Sequence, residues 1–274
     1  MGNARITEQM KLDELAGETI FTSVQGGKLA ERERDLIREL KPGGFVLFSR
    51  NLPKIEDARQ LCDELTSIVL TESRRRPLIA VDQEGGTVLR LPLPATYIPS
   101  MMALGATKDA LSAFRVALTV SIELRAIGIN MNFAPVLDIN TNPDNPVIGT
   151  RSFGEDHELV SKFGSKYIEG LKQGKILSVA KHFPGHGDTS VDSHLDLPVI
   201  KHDMKRLEAI ELKPFQSAIK HEVDGIMISH VAAPCIDSSG VPSSLSEKIV
   251  TDLLRRKMAF PGIVITDSLG MKAV

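Results

Sequence analysis

The chain has 274 residues, 42% of them hydrophobic and 25% charged, which is ordinary globular composition with enough apolar material for a sizeable core. A formal net charge of −2 gives no basic surface for nucleic acid or an anionic membrane, and the polar residues 1 to 11 hold no secretory or membrane-spanning run. The two cysteines, Cys62 on the apolar face of a predicted helix and Cys235 after a proline, have neither disulfide-framework nor metal-ligand spacing, which points to a reducing, cytoplasmic setting. Tryptophan is absent and aromatics are only 4%, which speaks against a long polysaccharide groove.

In chain order, an apolar run at 20–24 predicts a first strand. Leu29, Leu36, Ile37 and Leu40 then follow helical spacing until Pro42-Gly43-Gly44 stops the helix. Residues 45–48 read as a strand, and Ile55, Ala58, Cys62, Leu65 and Val69 as an amphipathic helix whose solvated end is Arg74-Arg75-Arg76. Strand 78–81 runs into Asp82-Gln83-Glu84-Gly85-Gly86. A helix over 109–127 ends at Gly128, and a strand over 129–137 ends at Asp138. A loop rich in Asn and Pro carries Arg151, and a helix over 156–173 is capped by Gly174. Strand 176–180 leads into the polar stretch 181–196, which holds His182, His186 and His194. Residues 207–220 are helical, with Pro214 starting a second helix rather than interrupting the first. Strand 225–229 ends at His230, a helix covers 245–257, and strand 263–266 ends at Asp267.

Strict alternation of strands and helices predicts a parallel sheet, and continuous apolar strands predict burial on both faces. The length suits a (β/α)₈ TIM-type barrel, which takes about 250 residues. The doubly wound open sheet competes, but Gly85-Gly86 lacks its phosphate-binding glycine spacing. Asp82, Asp138, Lys181, His230 and Asp267 each follow a predicted strand, and in a barrel all such ends meet at one face. The seventh strand ends at Asp267 and the sequence stops at Val274, which leaves no room for an eighth strand. The expectation is an incomplete version of a longer protein, a barrel truncated after its seventh strand.

The stretch 181–196 carries the chemistry. In an extended segment Asp192 and His194 face the same way and Ser193 faces elsewhere. That suits a carboxylate orienting an imidazole for proton transfer, and not a serine nucleophile. A metal reading is also open: His182, His186, His194 and Asp188 are ligand types, although their spacing matches no compact metal signature.

Lys181 to Thr189 followed by Asp192-Ser193-His194 resembles the signature of glycoside hydrolase family 3 β-N-acetylglucosaminidases. The resemblance covers nearly the whole chain, through 43–48, 81–86, 132–138, 151–154 and 265–271 in the family's order. It implies one catalytic domain over residues 1–274 and a retaining hydrolysis that removes terminal β-linked N-acetylglucosamine. Asp267 resembles the nucleophile that forms a covalent glycosyl-enzyme, and His194 with Asp192 the acid/base dyad. Asp82, Arg90, Arg151, Lys181 and His182 resemble the groups that bind the sugar. The resemblance calls for no cofactor and no metal, and its partner is a small carbohydrate. Two positions depart from the family: Ser49 stands where a sugar-contacting arginine can occur, with Arg50 one step later, and Ser268 where a second acidic residue is common. Three other readings stand beside this one: phosphorolysis by the same scaffold, a metal-dependent hydrolase, and a catalytically dead sugar-binding protein.

Overall fold

A computed structural model describes residues 12–191 and 196–274; Asp192 and His194 lie outside the described residues. The fold is α/β, with seven parallel strands among the described residues and helices between them, the succession of a TIM-type barrel up to its seventh strand. The chain divides into two compact units.

The first unit runs to Asp82 and includes Arg90–Thr96 and Ile122–Asn132. Helix α1 (Leu12–Glu18) precedes β1 (Phe21–Thr22), followed by α2 (Glu31–Leu40), β2 (Gly44–Leu47), α3 (Ile55–Ser73), β3 (Leu78–Val81) and β4 (Met131–Asn132). Each strand pairs in parallel with the next, with Phe21 opposite Gly44, Leu47 opposite Val81 and Val81 opposite Asn132. The apolar side of α3, with Ala58, Leu61, Cys62 and Leu65, is buried along with Phe45, Leu47, Ile79 and Val81. The basic run is more engaged than its sequence suggests. Arg74 takes the left-handed conformation that ends α3, and Arg75 forms an ion pair with Glu18. Arg50 lies over the Phe48 ring, 4.6 Å from its centroid, and donates to Ser23.

The second unit comprises Gln83–Leu89, Tyr97–Ser121 and Phe133–Val274. Its strands β5 (Leu177–Phe183), β6 (Gly225–Ile228) and β7 (Ile263–Thr266) pair in parallel in that order. Its helices include the short α4 (Met101–Ala106), absent from the sequence reading, and α6 (His157–Gln173), which Asp156 caps by accepting from the Leu159 N–H; α5 (Ala110–Ala126) begins in this unit. Pro214 stands in the first turn of α8 (Lys213–Lys220), separate from α7 (Met204–Ala209), as its missing N–H requires. Phe153 packs against Phe163 and Tyr167, and Phe183 against Phe215, at centroid distances of 5.7, 6.4 and 5.2 Å.

Three expectations change. The strand expected over 129–137 divides: Met131–Asn132 pairs with β3, while Ala134, Pro135 and Leu137 bond to β5 through Val179 N–H, Lys181 N–H and the Lys181 carbonyl. Pro135 has no N–H and interrupts a regular ladder. Gly174 caps α6 as expected, with φ −75°; the left-handed residue is the next one, Lys175, and a Cβ at 174 would meet Ser121 Cβ at 2.0 Å. The segment expected as an α-helix over 245–257 is a π-helix over Lys248–Lys257, whose wider turn lines up the buried Ile249, Leu253 and Leu254. Burial on both faces holds for β6 but fails for β7, which is half-exposed and ends on exposed Thr266.

Asn51 is the polar pin of the first unit. Fully buried, it donates to the Val24 and Gly26 carbonyls at 2.9 and 3.0 Å and accepts from the Phe48 N–H at 2.9 Å. Asn51→Ala strands those backbone groups, and urea unfolding is expected to show a loss of about 1–3 kcal/mol with the fold retained.

Candidate active site

The site grows from strand β5. The sequence reading stops this strand at Ala180, yet it continues through Lys181, His182 and Phe183, all buried. Lys181 and His182 are therefore strand residues and not the start of a loop. The pairing of β5 with β6 is irregular between Ala180 and Phe183, and the Lys181–His182 peptide is cis.

A buried ammonium on a strand requires a counter-ion, and Glu84 supplies it. The Glu84 side chain is 1% exposed and that of Lys181 2%, with Nζ 2.5 Å from Oε1. Arg151 grips the same carboxylate with two prongs, Nε to Oε2 and Nη2 to Oε1, each 2.9 Å. Its third tie goes from Nη1 to the Val147 carbonyl at 3.1 Å. Burial works to raise the Glu84 carboxyl, but the charges of Lys181 and Arg151 outweigh it and bring it down to about 2. Tyr167, itself buried, reaches the neighbouring Gln83 carbonyl at 3.5 Å; burial foremost, with the Glu84 charge behind it, pushes its phenol up.

The second centre is Asp138. Its Oδ2 lies 2.6 Å from His182 Nδ1, and its Oδ1 accepts the His186 backbone N–H at 2.6 Å. Burial works to raise this carboxyl and the two histidines hold it below the ordinary aspartate value. His182 Nε2 lies 3.2 Å from Arg151 Nη2. A guanidinium only donates, so Nε2 accepts, Nδ1 carries the proton for Asp138, and His182 is neutral. With both ring nitrogens engaged, His182 offers neither to a metal in this arrangement.

The base of the loop that follows is anchored too. His186 Nδ1 lies 2.6 Å from the Thr189 hydroxyl, and burial holds this imidazole below its ordinary value against the pull of Asp138. Asn145 donates to the His186 and Thr189 carbonyls at 2.8 and 2.9 Å and accepts from the Val147 and Ile148 N–H groups. At Gly187 a Cβ would stand 1.9 Å from the Ile139 carbonyl oxygen, so only glycine fits. Asp188 accepts from Thr141 at 2.7 Å and pairs with His202.

Asp267 stands one residue beyond β7, half-buried, with its N–H on the Ile228 carbonyl and its Oδ1 accepting the Ser268 N–H at 2.7 Å. Its charge reaches the His186 ring. The second unit brings Arg151, Lys181 and His182 together around Glu84 and Asp138, and Asp267 belongs to the same unit. Asp82 and Arg90 belong to the first unit, both half-buried. Asp192 and His194 lie outside the described residues. The sequence reading missed Glu84 as the hub, although it stands in the motif after β3, and gave Asp138 no role beyond its strand-end place. The available signal was the count of cations: a strand lysine needs a buried acid.

Glu84→Gln removes the shared counter-ion while keeping the shape. Denaturant unfolding is expected to show a loss of about 3–5 kcal/mol, because Lys181 and Arg151 stay buried without it. The folded carboxyl lies below its unfolded value, so the unfolded chain binds more protons as pH falls. The Glu84 contribution is complete above the ordinary glutamate value and is lost toward pH of about 2, and the variant should show a flatter acid limb.

Comparison with known proteins places this geometry. The chain is 38% identical over 256 residues to beta-hexosaminidase A of Pseudoalteromonas piscicida, an alignment covering 88% of this chain and 43% of that protein. Among solved structures it superposes on a glycoside hydrolase family 3 beta-N-acetylglucosaminidase from Paenibacillus sp. str. FPU-7 with a TM-score of 0.95 and 42% identity, covering 97% of this chain and 50% of that one. It also superposes on NagZ from Neisseria gonorrhoeae, solved in complex with N-trifluoroacetyl-D-glucosamine, with a TM-score of 0.86 and 33% identity, covering 92% of this chain and 74% of that one. The chain thus spans about half, or less, of the length of the first two. The model of the glycosyl hydrolase family 3 N-terminal domain matches residues 8–274, and this chain belongs to that family.

Proposed function

We propose that this chain is the catalytic domain of a retaining β-N-acetylhexosaminidase that removes terminal β-linked N-acetylglucosamine from small carbohydrates. The observation that carries the reading is the position of Asp267 directly after β7, in the same unit as Arg151, Lys181 and His182. A carboxylate is the group that can attack an anomeric carbon, and the hydrogen-bonding cations Arg151 and Lys181 of the same unit suit a polyhydroxylated ring.

In the first step an Asp267 carboxylate oxygen bonds to the anomeric carbon as the bond to the aglycone oxygen breaks. His194 gives its proton to that oxygen, and Asp192 orients the imidazole and offsets its charge. In the second step water attacks the same carbon, His194 takes its proton back, and the Asp267 ester is released. Arg151 and Lys181 bind the sugar with N–H groups that Glu84 has already aimed. Among the described residues no helix is long and apolar enough to cross a membrane. Cys62 and Cys235 are free thiols, which fits the reducing, cytoplasmic setting proposed here.

Turnover of an aryl N-acetyl-β-glucosaminide by the full chain, with and without a chelator, tests the reading. Activity that the chelator abolishes would favour the metal-dependent alternative, and a fluorescence titration showing sugar binding without turnover would favour a dead binding protein. Asp267→Ala is expected to abolish turnover with unchanged circular dichroism, since a half-buried carboxylate contributes little packing.

His194→Ala is expected to slow substrates with poor leaving groups by about 10²- to 10⁴-fold, while glycosylation by activated aryl glycosides falls far less. An activated phenolate departs without a proton, so equal losses on both substrate types count against the acid role.

A further inference from the structure

One imidazole ties the end of β6 to the end of β7. His230 follows β6 and is fully buried; its Nδ1 lies 2.6 Å from Ser244 Oγ and its Nε2 3.0 Å from the Ser268 carbonyl oxygen. A carbonyl only accepts, so Nε2 carries the proton and Nδ1 accepts from the Ser244 hydroxyl. Ser244 is held in turn, because its neighbour Ser243 donates both its N–H and its hydroxyl to the Val231 carbonyl, at 2.8 and 2.6 Å.

Ser268 is the residue that aims Asp267. Its N–H binds Asp267 Oδ1 at 2.7 Å, and its carbonyl accepts from His230 and from the Met271 N–H at 3.1 Å. The sheet holds Asp267 by its own N–H bond to the Ile228 carbonyl. The direction of the carboxylate therefore depends on Ser268, and the place of Ser268 on His230.

We propose that His230 is a positioning residue for Asp267, fixing through the Ser268 carbonyl the turn whose N–H aims the nucleophilic carboxylate. The proposal rests on the reading of Asp267 as nucleophile. In that step one carboxylate oxygen bonds to the anomeric carbon while the bond to the leaving oxygen breaks, and the two must lie in line. His230 touches neither, and as a neutral ring it acts through geometry.

The test measures kcat and KM on an activated aryl N-acetyl-β-glucosaminide for the full chain and for His230→Leu, His230→Gln and Asp267→Ala, with ¹⁵N NMR of the wild-type imidazoles. Loss of alignment is expected to lower kcat about 10- to 100-fold in His230→Leu with KM little changed. His230→Gln should recover most of the loss, because its amide N–H reaches the same carbonyl. If His230→Leu does not fold, His230→Asn, whose shorter amide stops short of Ser268, replaces it in the comparison with Gln. The NMR should show the Nε2–H tautomer, and an Nδ1–H tautomer overturns the proposal whatever the turnover. Wild-type kcat in His230→Leu, or equal kcat in the Asn and Gln variants, while Asp267→Ala is inactive, also overturns it. Wild-type turnover in Asp267→Ala instead overturns the nucleophile reading beneath it.

Discussion

The candidate site depends on a buried carboxylate with two cations on it. Glu84 would be a poor residue to bury alone, and so would Lys181. Together with Arg151 they form a cluster in which one carboxylate accepts from two side chains reached from distant parts of the sequence, Glu84 and Arg151 standing 67 positions apart. Asp138 adds the second negative charge, and His182 stays neutral between the two halves. Two carboxylates thus stand against two cations. The desolvation cost of the site is largely offset within it, and the donors are aimed before any ligand arrives. Such preorganisation lets fixed dipoles and charges act on a reacting sugar without rearranging at the moment of reaction.

The hydrogen-bond chain has a direction. It runs from Glu84 through Arg151 to His182, then through Asp138 to His186 and Thr189. At one end it sets the groups that would meet sugar hydroxyls, and at the other it reaches the base of the segment that carries Asp192 and His194. Asn145 pins that base by holding the His186 and Thr189 carbonyl groups of the loop. Arg151, Lys181, His182 and the base of the loop at His186 and Thr189 are thus parts of one network, and a change at Glu84 should be felt beyond the two cations it touches.

The half-exposed β7 is the weaker side of the arrangement. Asp267 gains its direction from a turn and from His230, where Lys181 and His182 gain theirs from a buried strand.

Much of this was legible in the sequence, for a physical reason. Strand and helix periods are local, so the alternation of elements, the separate helix beginning at Pro214, the buried face with Cys62 and the place of Asp267 after its strand could all be read from neighbouring residues. Local pattern also marked 181–196 as the chemical stretch. It could not show that β5 continues through Lys181 and His182, because a lysine and a histidine end an apolar run unless a buried acid is present to receive them. That acid is Glu84, and its encounter with Lys181 and Arg151 arises only when separate strand ends and loops meet in space. The neutral state of His182 was likewise undetermined until Asp138 stood at one ring nitrogen and Arg151 at the other. Sequence by itself determined which residues are available at the strand ends; tertiary structure decided which of them share a proton or a charge, because those partnerships depend on distances of a few ångströms that no local period encodes.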